Sequence, residues 1–141
     1  MHRVVALVRP PQSNFELGYV SQVFGIERPG LPARYTFSVC TERPGPVSTH
    51  AGYDIVVTAS LTALDQADTV IIPGWLPVTE PPSPAVIQAL LDAHHRGARL
   101  VSICSGAFAL AHVGLLDGRV ATTHWALADE LATRFPRIQV D

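Results

Sequence analysis

Residues 100–125, LVSICSGAFALAHVGLLDGRVATTHW, decide the fold. They open with an apolar run over 100–103 that predicts a buried strand, and a helical pattern over 105–113 follows almost at once. Cys104 stands between the two, and Gly106 is small enough to permit a tight turn. Such a turn forces the cysteine side chain out at the carboxyl end of a parallel sheet, where open α/β folds bind ligands.

Strands and helices are predicted to alternate along the rest of the chain. The strands are predicted at 3–8, 35–40, 53–58, 67–72, 119–123 and 138–140, and the helices at 15–24, 84–95 and 126–135. Asn14 is expected as the N-cap of the first helix. The stretch 43–52 is rich in turn residues and is expected to be a loop. The alternation predicts one α/β domain over residues 1–141, with a mostly parallel sheet and right-handed crossovers.

Composition excludes several classes of function. Apolar residues make up 48% of the chain, charged residues 16%, and the formal net charge is −2. No run of Lys or Arg is present, so neither nucleic acid nor a membrane surface is an expected partner. Two cysteines give no disulfide framework, and free thiols fit a reducing cytoplasm. No histidine pair has the spacing of a zinc site, so we expect no metal and no cofactor.

Cys104 is the first candidate for chemistry. At the start of a helix, the helix dipole and the free N–H groups of the first turn would lower the pKa of its thiol. The alternative is a buried, inert cysteine that packs as a small apolar side chain. The turn favours a special role for Cys104, whereas Cys40, inside a predicted strand, is assigned to the inert class.

Other groups are candidate partners of the thiol. His124 follows a short strand that is expected to pair beside the Cys104 strand, so it could act as a base, although an ordinary loop histidine is the alternative. The backbone N–H groups of Trp75 and Ser105 could bind developing negative charge, with Gly74 shaping the turn, or PGW could be a simple strand-ending turn.

At this point the chain resembles a known family. FELGYVSQVFG (15–25), ADTVIIPGW (67–75), the 97–125 stretch and ADELATRFPRIQVD (128–141) are similar to the PfpI/ThiJ superfamily of class I glutamine amidotransferase-like proteins. RPGPVSTHAGYDIVV (43–57) also matches. The resemblance is strongest to the N-terminal domain of GlxA-type, AraC-family transcription regulators, and it implies a three-layer, flavodoxin-like sandwich.

The resemblance also implies roles for residues. Cys104 takes the position of the cysteine at the turn, His124 that of the histidine after the T-T pair, and Glu16 that of an acidic residue that approaches the thiol. A helix-start glutamate favoured by the dipole is the alternative for Glu16. Gly74, Trp75, Ser105 and Gly106 fall at positions of an oxyanion-like, ligand-binding pocket.

Two departures from the family pattern affect the expected function. The sequence ends at Asp141, before the last strands and helix of the family fold, and it contains no helix-turn-helix region. Without those strands, an apolar edge and face of the sheet are expected to be exposed, which favours a homodimer.

Three functions are compatible with these features. The first is a small-molecule-sensing domain of a GlxA-type regulator, without direct nucleic-acid binding. The second is a cysteine-dependent hydrolase or lyase that acts on an amide, nitrile or aldehyde adduct. The third is an inactive, truncated remnant.

Overall fold

The computed structural model describes all residues from Met1 to Asp141. Its strands are β1 (His2–Val8), β2 (Tyr35–Thr41), β3 (Gly45–Ser48), β4 (Asp54–Val57), β5 (Thr69–Pro73), β6 (Arg99–Ile103), β7 (Val120–Ala121) and β8 (Gln139–Val140). Its helices are α1 (Asn14–Phe24), α2 (Pro84–His95), α3 (Ala107–Val113) and α4 (Ala128–Arg134). Short 3-10 segments cover Leu61–Gln66, Cys104–Gly106 and Trp125–Leu127. None of the helices is both long enough and apolar enough to cross a membrane.

A four-stranded parallel sheet forms the centre of the fold, in the order β2-β1-β5-β6. All five residues of β5 are buried, as expected for a strand with neighbours on both sides and cover on both faces. In β6 no residue is fully buried, because this strand forms the edge of the sheet. The structure confirms the predicted α/β class and the mostly parallel sheet.

The two faces of the sheet are covered unequally. Val5 and Leu7 of β1 point to one face, where they pack with α2, α3 and α4 in the larger core. Val4 and Ala6 alternate to the other face and meet Val20 of α1. The helix α1 is the only helix on that second face, where it also packs on Ile71 of β5, and the edge strand β6 is only partly buried.

Standard boundary residues begin and end the helix α2. Ser83 is its N-cap and accepts a hydrogen bond from the Val86 N–H, and Pro84 occupies its first turn. Gly97 follows the last turn with φ +91°, a left-handed conformation that glycine adopts without a steric penalty. The N–H of Gly97 donates to the His94 carbonyl and that of Ala98 to the Ala93 carbonyl, which closes the helix.

Three local predictions were wrong. The stretch 43–52 is not all loop, because β3 forms an antiparallel hairpin with β4. Ser13, not Asn14, is the N-cap of α1, and no side chain caps that helix end. The short strand before His124 does not pair beside the Cys104 strand. It is β7, which pairs with β8 in a separate two-stranded sheet.

Candidate functional site

The turn after β6 holds Cys104 in an unusual backbone conformation. Ile103 is still extended, at φ −122° and ψ 131°, but Cys104 has φ +57°. Cys104 is the one residue other than glycine with a positive φ in the chain. A side chain in this left-handed region costs about 1–3 kcal/mol, and such residues cluster at functional sites.

Gly106 makes the turn sterically possible. A Cβ atom at this position would lie 2.1 Å from the carbonyl oxygen of Ile72 on the neighbouring strand β5 and 3.2 Å from the amide nitrogen of Gly74. Real Cβ atoms do not approach backbone atoms that closely, so only glycine fits. The short 3-10 segment therefore packs directly on the end of β5, and the two strand ends are held together.

The environment of the Cys104 thiol raises its pKa. Burial is the largest cause, a hydrogen bond from the Ser105 N–H opposes it, and the hydrogen bond and negative charge of Glu16 raise the pKa further. The expectation of a lowered pKa is therefore wrong in direction. The helix-terminus N–H contributes as expected, but burial and the neighbouring carboxylate outweigh it.

Glu16 reaches the thiol from the first turn of α1. The helix begins directly after the loop that follows β1, so its first turn lies at the carboxyl end of the sheet, on the same side as the Cys104 turn. The structure thus brings together Cys104 and Glu16, two residues 88 positions apart in the chain. A carboxylate that accepts a hydrogen bond from the thiol favours the neutral thiol form.

The backbone N–H of Trp75 is already occupied. It donates to the Ser105 hydroxyl at 3.0 Å, and both residues are 3% exposed. Gly74 precedes it with φ +107°, and a Cβ there would lie 3.1 Å from the Ser13 hydroxyl oxygen. Three of the predicted pocket residues therefore lie together beside the Cys104 turn: Gly74, Trp75 and Ser105. The Trp75 N–H is already hydrogen-bonded within the chain.

His124 makes its contacts within its own turn and not with the thiol. Its Nδ1 accepts a hydrogen bond from the Ala126 N–H at 3.1 Å, and its ring stacks on Trp125 with centroids 5.4 Å apart. The structure contains no hydrogen bond between His124 and Cys104. The neighbouring Thr123 makes the link to the site instead, since its hydroxyl donates to the Cys104 carbonyl at 2.8 Å.

Sequence reasoning missed Gln12, which is buried behind the site. Its side-chain N–H donates to the Pro73 carbonyl at 2.6 Å and to the Ser13 carbonyl at 3.2 Å. Its backbone also bonds Ser48 and His50 of the hairpin region. Gln12 therefore joins the ends of β1 and β5 to the hairpin, a role that a single polar residue in a loop does not signal in sequence.

Sequence reasoning also missed two residues that contact Trp75, which are Arg9 and Glu80. The Arg9 guanidinium carbon lies 4.3 Å from the centre of the Trp75 ring, and the same group pairs with Glu80 at 2.8 Å. The Trp75 indole N–H donates to the Glu80 carbonyl at 2.7 Å. These contacts fix the proline-rich loop after β5 against the end of β1, so this loop forms a fixed wall near the site.

Known proteins are similar to between 62% and 96% of this chain. An uncharacterized protein in the cpoL 5′ region of Streptomyces lividans is 34% identical over 137 residues, 96% of each chain. The HTH-type transcriptional regulator CdhR of Pseudomonas aeruginosa is 30% identical over 106 residues, which are 75% of this chain and 32% of the regulator. The isonitrile hydratase of Pseudomonas putida is 32% identical over 89 residues, 62% of this chain and 39% of the enzyme.

Solved structures share the fold. A putative transcriptional regulator from Vibrio parahaemolyticus superposes with a TM-score of 0.73 at 23% identity, over 99% of this chain and 75% of that one. A THiJ/PfpI family protein from Pseudomonas syringae superposes with a TM-score of 0.79 at 26% identity, over 98% of this chain and 56% of that one. The sequence profile of the DJ-1/PfpI family matches residues 2–137. The chain therefore belongs to the DJ-1/PfpI family.

Proposed function

We propose that this chain is a small-molecule-sensing domain of the kind carried by AraC-type transcription regulators, that it works in the cytoplasm, and that it does not itself contact DNA. One observation carries the proposal: the Cys104 thiol lies partly buried at a strained turn, with the Glu16 carboxylate in hydrogen-bond contact with it. A neutral thiol at a strained turn can contact a ligand but is a weak nucleophile. The similarity to CdhR supports the same function, although the chain spans about a third of that regulator.

The remaining groups support binding over catalysis. Besides Glu16, a nucleophilic mechanism would draw on His124 as a second proton carrier and on a free N–H pair for the oxyanion. Here the Trp75 N–H is bonded to the Ser105 hydroxyl, and the Nδ1 of His124 is bonded within its own turn. Both groups would have to give up existing hydrogen bonds before they could serve a reaction.

Acceptor groups at the start of α1 indicate the class of ligand. Glu16 presents a carboxylate at the thiol. Two residues earlier, the Asn14 side-chain oxygen is buried without a hydrogen-bond partner, while its N–H group donates to the Tyr53 hydroxyl. A buried acceptor without a partner costs about 1–3 kcal/mol, which a donor from a ligand would recover. We therefore expect a small ligand with N–H donors, such as a primary amide or an amine.

Ligand protection of Cys104 tests the proposal. We expect at least one member of a panel of small amides and amines to raise the melting temperature and to slow alkylation of Cys104 by iodoacetamide. A ligand at about 100 times its Kd adds about 2.7 kcal/mol of stability, which is a shift of several degrees. Glu16→Gln should abolish both effects, whereas Glu27→Gln, an exposed carboxylate just after α1, should preserve them. If no compound in the panel protected Cys104 from alkylation, the proposal would be contradicted.

The second candidate is an enzyme, favoured by the similarity to isonitrile hydratase and by the contact between Glu16 and Cys104. In that case the Cys104 sulfur adds to the carbon of a carbon–nitrogen multiple bond, one bond of which opens, and Glu16 carries the thiol proton to the substrate. Water then adds to the same carbon and the carbon–sulfur bond breaks, which restores the thiol and leaves an amide. Consumption of a panel compound by the wild-type chain, lost in Cys104→Ala, would favour the enzyme. Turnover that persists in Cys104→Ala would exclude this mechanism.

A further inference from the structure

A polar cavity lies at the amino ends of the central strands, at the opposite edge of the sheet from Cys104. Its volume is about 470 Å³, which falls in the range of about 300–1,000 Å³ that is typical of small-molecule sites. Its lining comes from the starts of β1, β5 and β6 and from the end of α2. Five lining residues have polar side chains: His2, Gln66, Asp68, Arg96 and Arg99. We call this cavity the amino-edge cavity.

Contacts with the backbone hold the Arg96 guanidinium in place. Its Nη2 donates to the carbonyl oxygens of Leu64 and Ala67, at 2.9 and 3.0 Å. Both of those residues are buried, so the guanidinium is fixed against the protein core. Its Nη1 and Nε make no hydrogen bond within the chain and are therefore free to donate to a ligand.

Arg99 and His2 add further donors to the same cavity. Arg99 is the first residue of β6, and its side chain makes no hydrogen bond within the chain. Neither Arg99 nor Arg96 belongs to one of the three ion pairs of the structure. The Nε2 of His2 lies 2.7 Å from the Thr69 hydroxyl oxygen, which fixes the ring and leaves its Nδ1 unbonded. Two guanidinium groups without a carboxylate partner therefore line one cavity.

One carboxylate shares the cavity with these groups. The Oδ2 of Asp68 accepts a hydrogen bond from the backbone N–H of Arg3 at 2.7 Å, so the carboxylate is held by the backbone and by neither guanidinium. Two positive groups against one negative group leave the cavity with a net positive charge. The second oxygen of Asp68 and the side-chain N–H of Gln66 can bind hydroxyl groups of a ligand.

The end of α2 does not cancel this positive charge. A helix C-terminus carries roughly half a negative charge, which is less than the charge of a single guanidinium. Two of the last carbonyl groups of α2 are also bonded, since those of Ala93 and His94 accept from the N–H groups of Ala98 and Gly97. The amino-edge cavity is therefore suited to an anion.

We propose that the amino-edge cavity binds the phosphate group of a small phosphorylated molecule. A carboxylate carries one charge and is satisfied by one guanidinium, whereas a phosphate monoester carries about −1.5 to −2 charges at pH 7 and three acceptor oxygens. Arg96, Arg99 and the His2 ring match those three oxygens. A hydroxylated remainder of the ligand would meet Asp68 and Gln66. This site is separate from the proposed sensing at Cys104 and does not depend on it.

Calorimetric titration with inorganic phosphate at constant ionic strength tests the site. We expect saturable binding that Arg99→Gln weakens by about 10-fold or more, because a charge-assisted, bidentate partner is lost. Arg43→Gln is the matched control, since it removes the same charge from an exposed arginine just after β2, at the other edge of the sheet. No binding by the wild-type chain, or equal weakening in both variants, would overturn the proposal.

Asp68→Asn tests the same charges in the opposite direction, and a misfolded variant cannot mimic the expected gain. The asparagine oxygen can still accept from the Arg3 N–H. Removing a negative charge from the cavity should tighten the binding of inorganic phosphate by about 3- to 10-fold. Unchanged or weaker binding in this variant would show that the phosphate does not lie beside Asp68, and the assignment would fail.

Glycerol 3-phosphate distinguishes a phosphate ester from the free ion. We expect the ester to bind the wild-type chain more tightly than inorganic phosphate does, because its hydroxyl groups can reach Asp68 and Gln66. Tighter binding of inorganic phosphate would make the cavity a site for the free ion and overturn the assignment to a phosphorylated molecule. Neither compound should slow alkylation of Cys104 by iodoacetamide. Slowing that persists in Arg99→Gln would place the phosphate at the thiol and contradict the proposal.

Discussion

Gly106→Ala is expected to destabilise the chain by about 4 kcal/mol or more, at the extreme of what single substitutions do. The added Cβ would lie 2.1 Å from the Ile72 carbonyl oxygen, a backbone atom of the buried strand β5 that cannot move without breaking the sheet. Urea unfolding measures the free energy directly. We expect either no cooperative transition or a strongly lowered midpoint.

Gly18→Ala is the matched control for that substitution. Gly18 lies within α1, and nothing is within 4 Å of the position that its Cβ would take. Alanine there should stabilise the helix by about 0.5–1 kcal/mol. If Gly106→Ala and Gly18→Ala unfolded at similar urea concentrations, the tight contact between the Cys104 turn and β5 would be refuted.

A loss of stability at high pH is the second large effect, and its source is Cys40. This residue is 0% exposed, and burial raises the pKa of its thiol from 9.0 to about 12. The Cys40 thiol therefore ionises at a lower pH in the unfolded chain than in the folded chain. Its contribution to the free energy of unfolding is complete below pH 9 and is lost as the pH rises towards 12. Three pKa units correspond to about 4 kcal/mol.

The slope of stability against pH tests this account. The free energy of unfolding of the wild-type chain should fall steeply between pH 9 and 12, and the fall should be much shallower in Cys40→Ala. Only slopes are compared, because the alanine also leaves a cavity that lowers stability at every pH. The Cys104 thiol, whose pKa is raised as well, contributes in the same direction in both chains. Equal slopes would show that Cys40 is not held neutral by burial.

Local pattern predicted the elements of the sheet. Continuous apolar runs gave β1, β5 and β6 to within two residues, because strands buried on both faces have few polar positions. The helix α2 was predicted to the residue, since Pro84 and Gly97 are boundary signals with a direct physical cause. The hairpin β3–β4 was missed because its sequence, with Pro46 inside a strand, contains as many turn formers as strand formers.

Local sequence patterns could not show which residues, distant in sequence, the fold brings together. The resemblance alone suggested Glu16, and only the fold shows that α1 begins beside Cys104. The short strand β7 was expected next to β6, but β7 pairs with β8 and β6 stays at the edge of the sheet. The direction of the Cys104 pKa shift depends on burial and on Glu16, neither of which local sequence specifies.

The most direct measurement of the central claim is the rate of Cys104 alkylation by iodoacetamide as a function of pH, in the wild-type chain and in Glu16→Gln. A neutral thiol held by burial and by Glu16 predicts an apparent pKa above 9.0 in the wild type. Removing the carboxylate should lower that pKa and raise the rate at neutral pH. An apparent pKa below that of free cysteine in the wild type, raised by Glu16→Gln, would contradict the account, because Glu16 would then be a proton donor to a thiolate and the enzyme would become the better explanation.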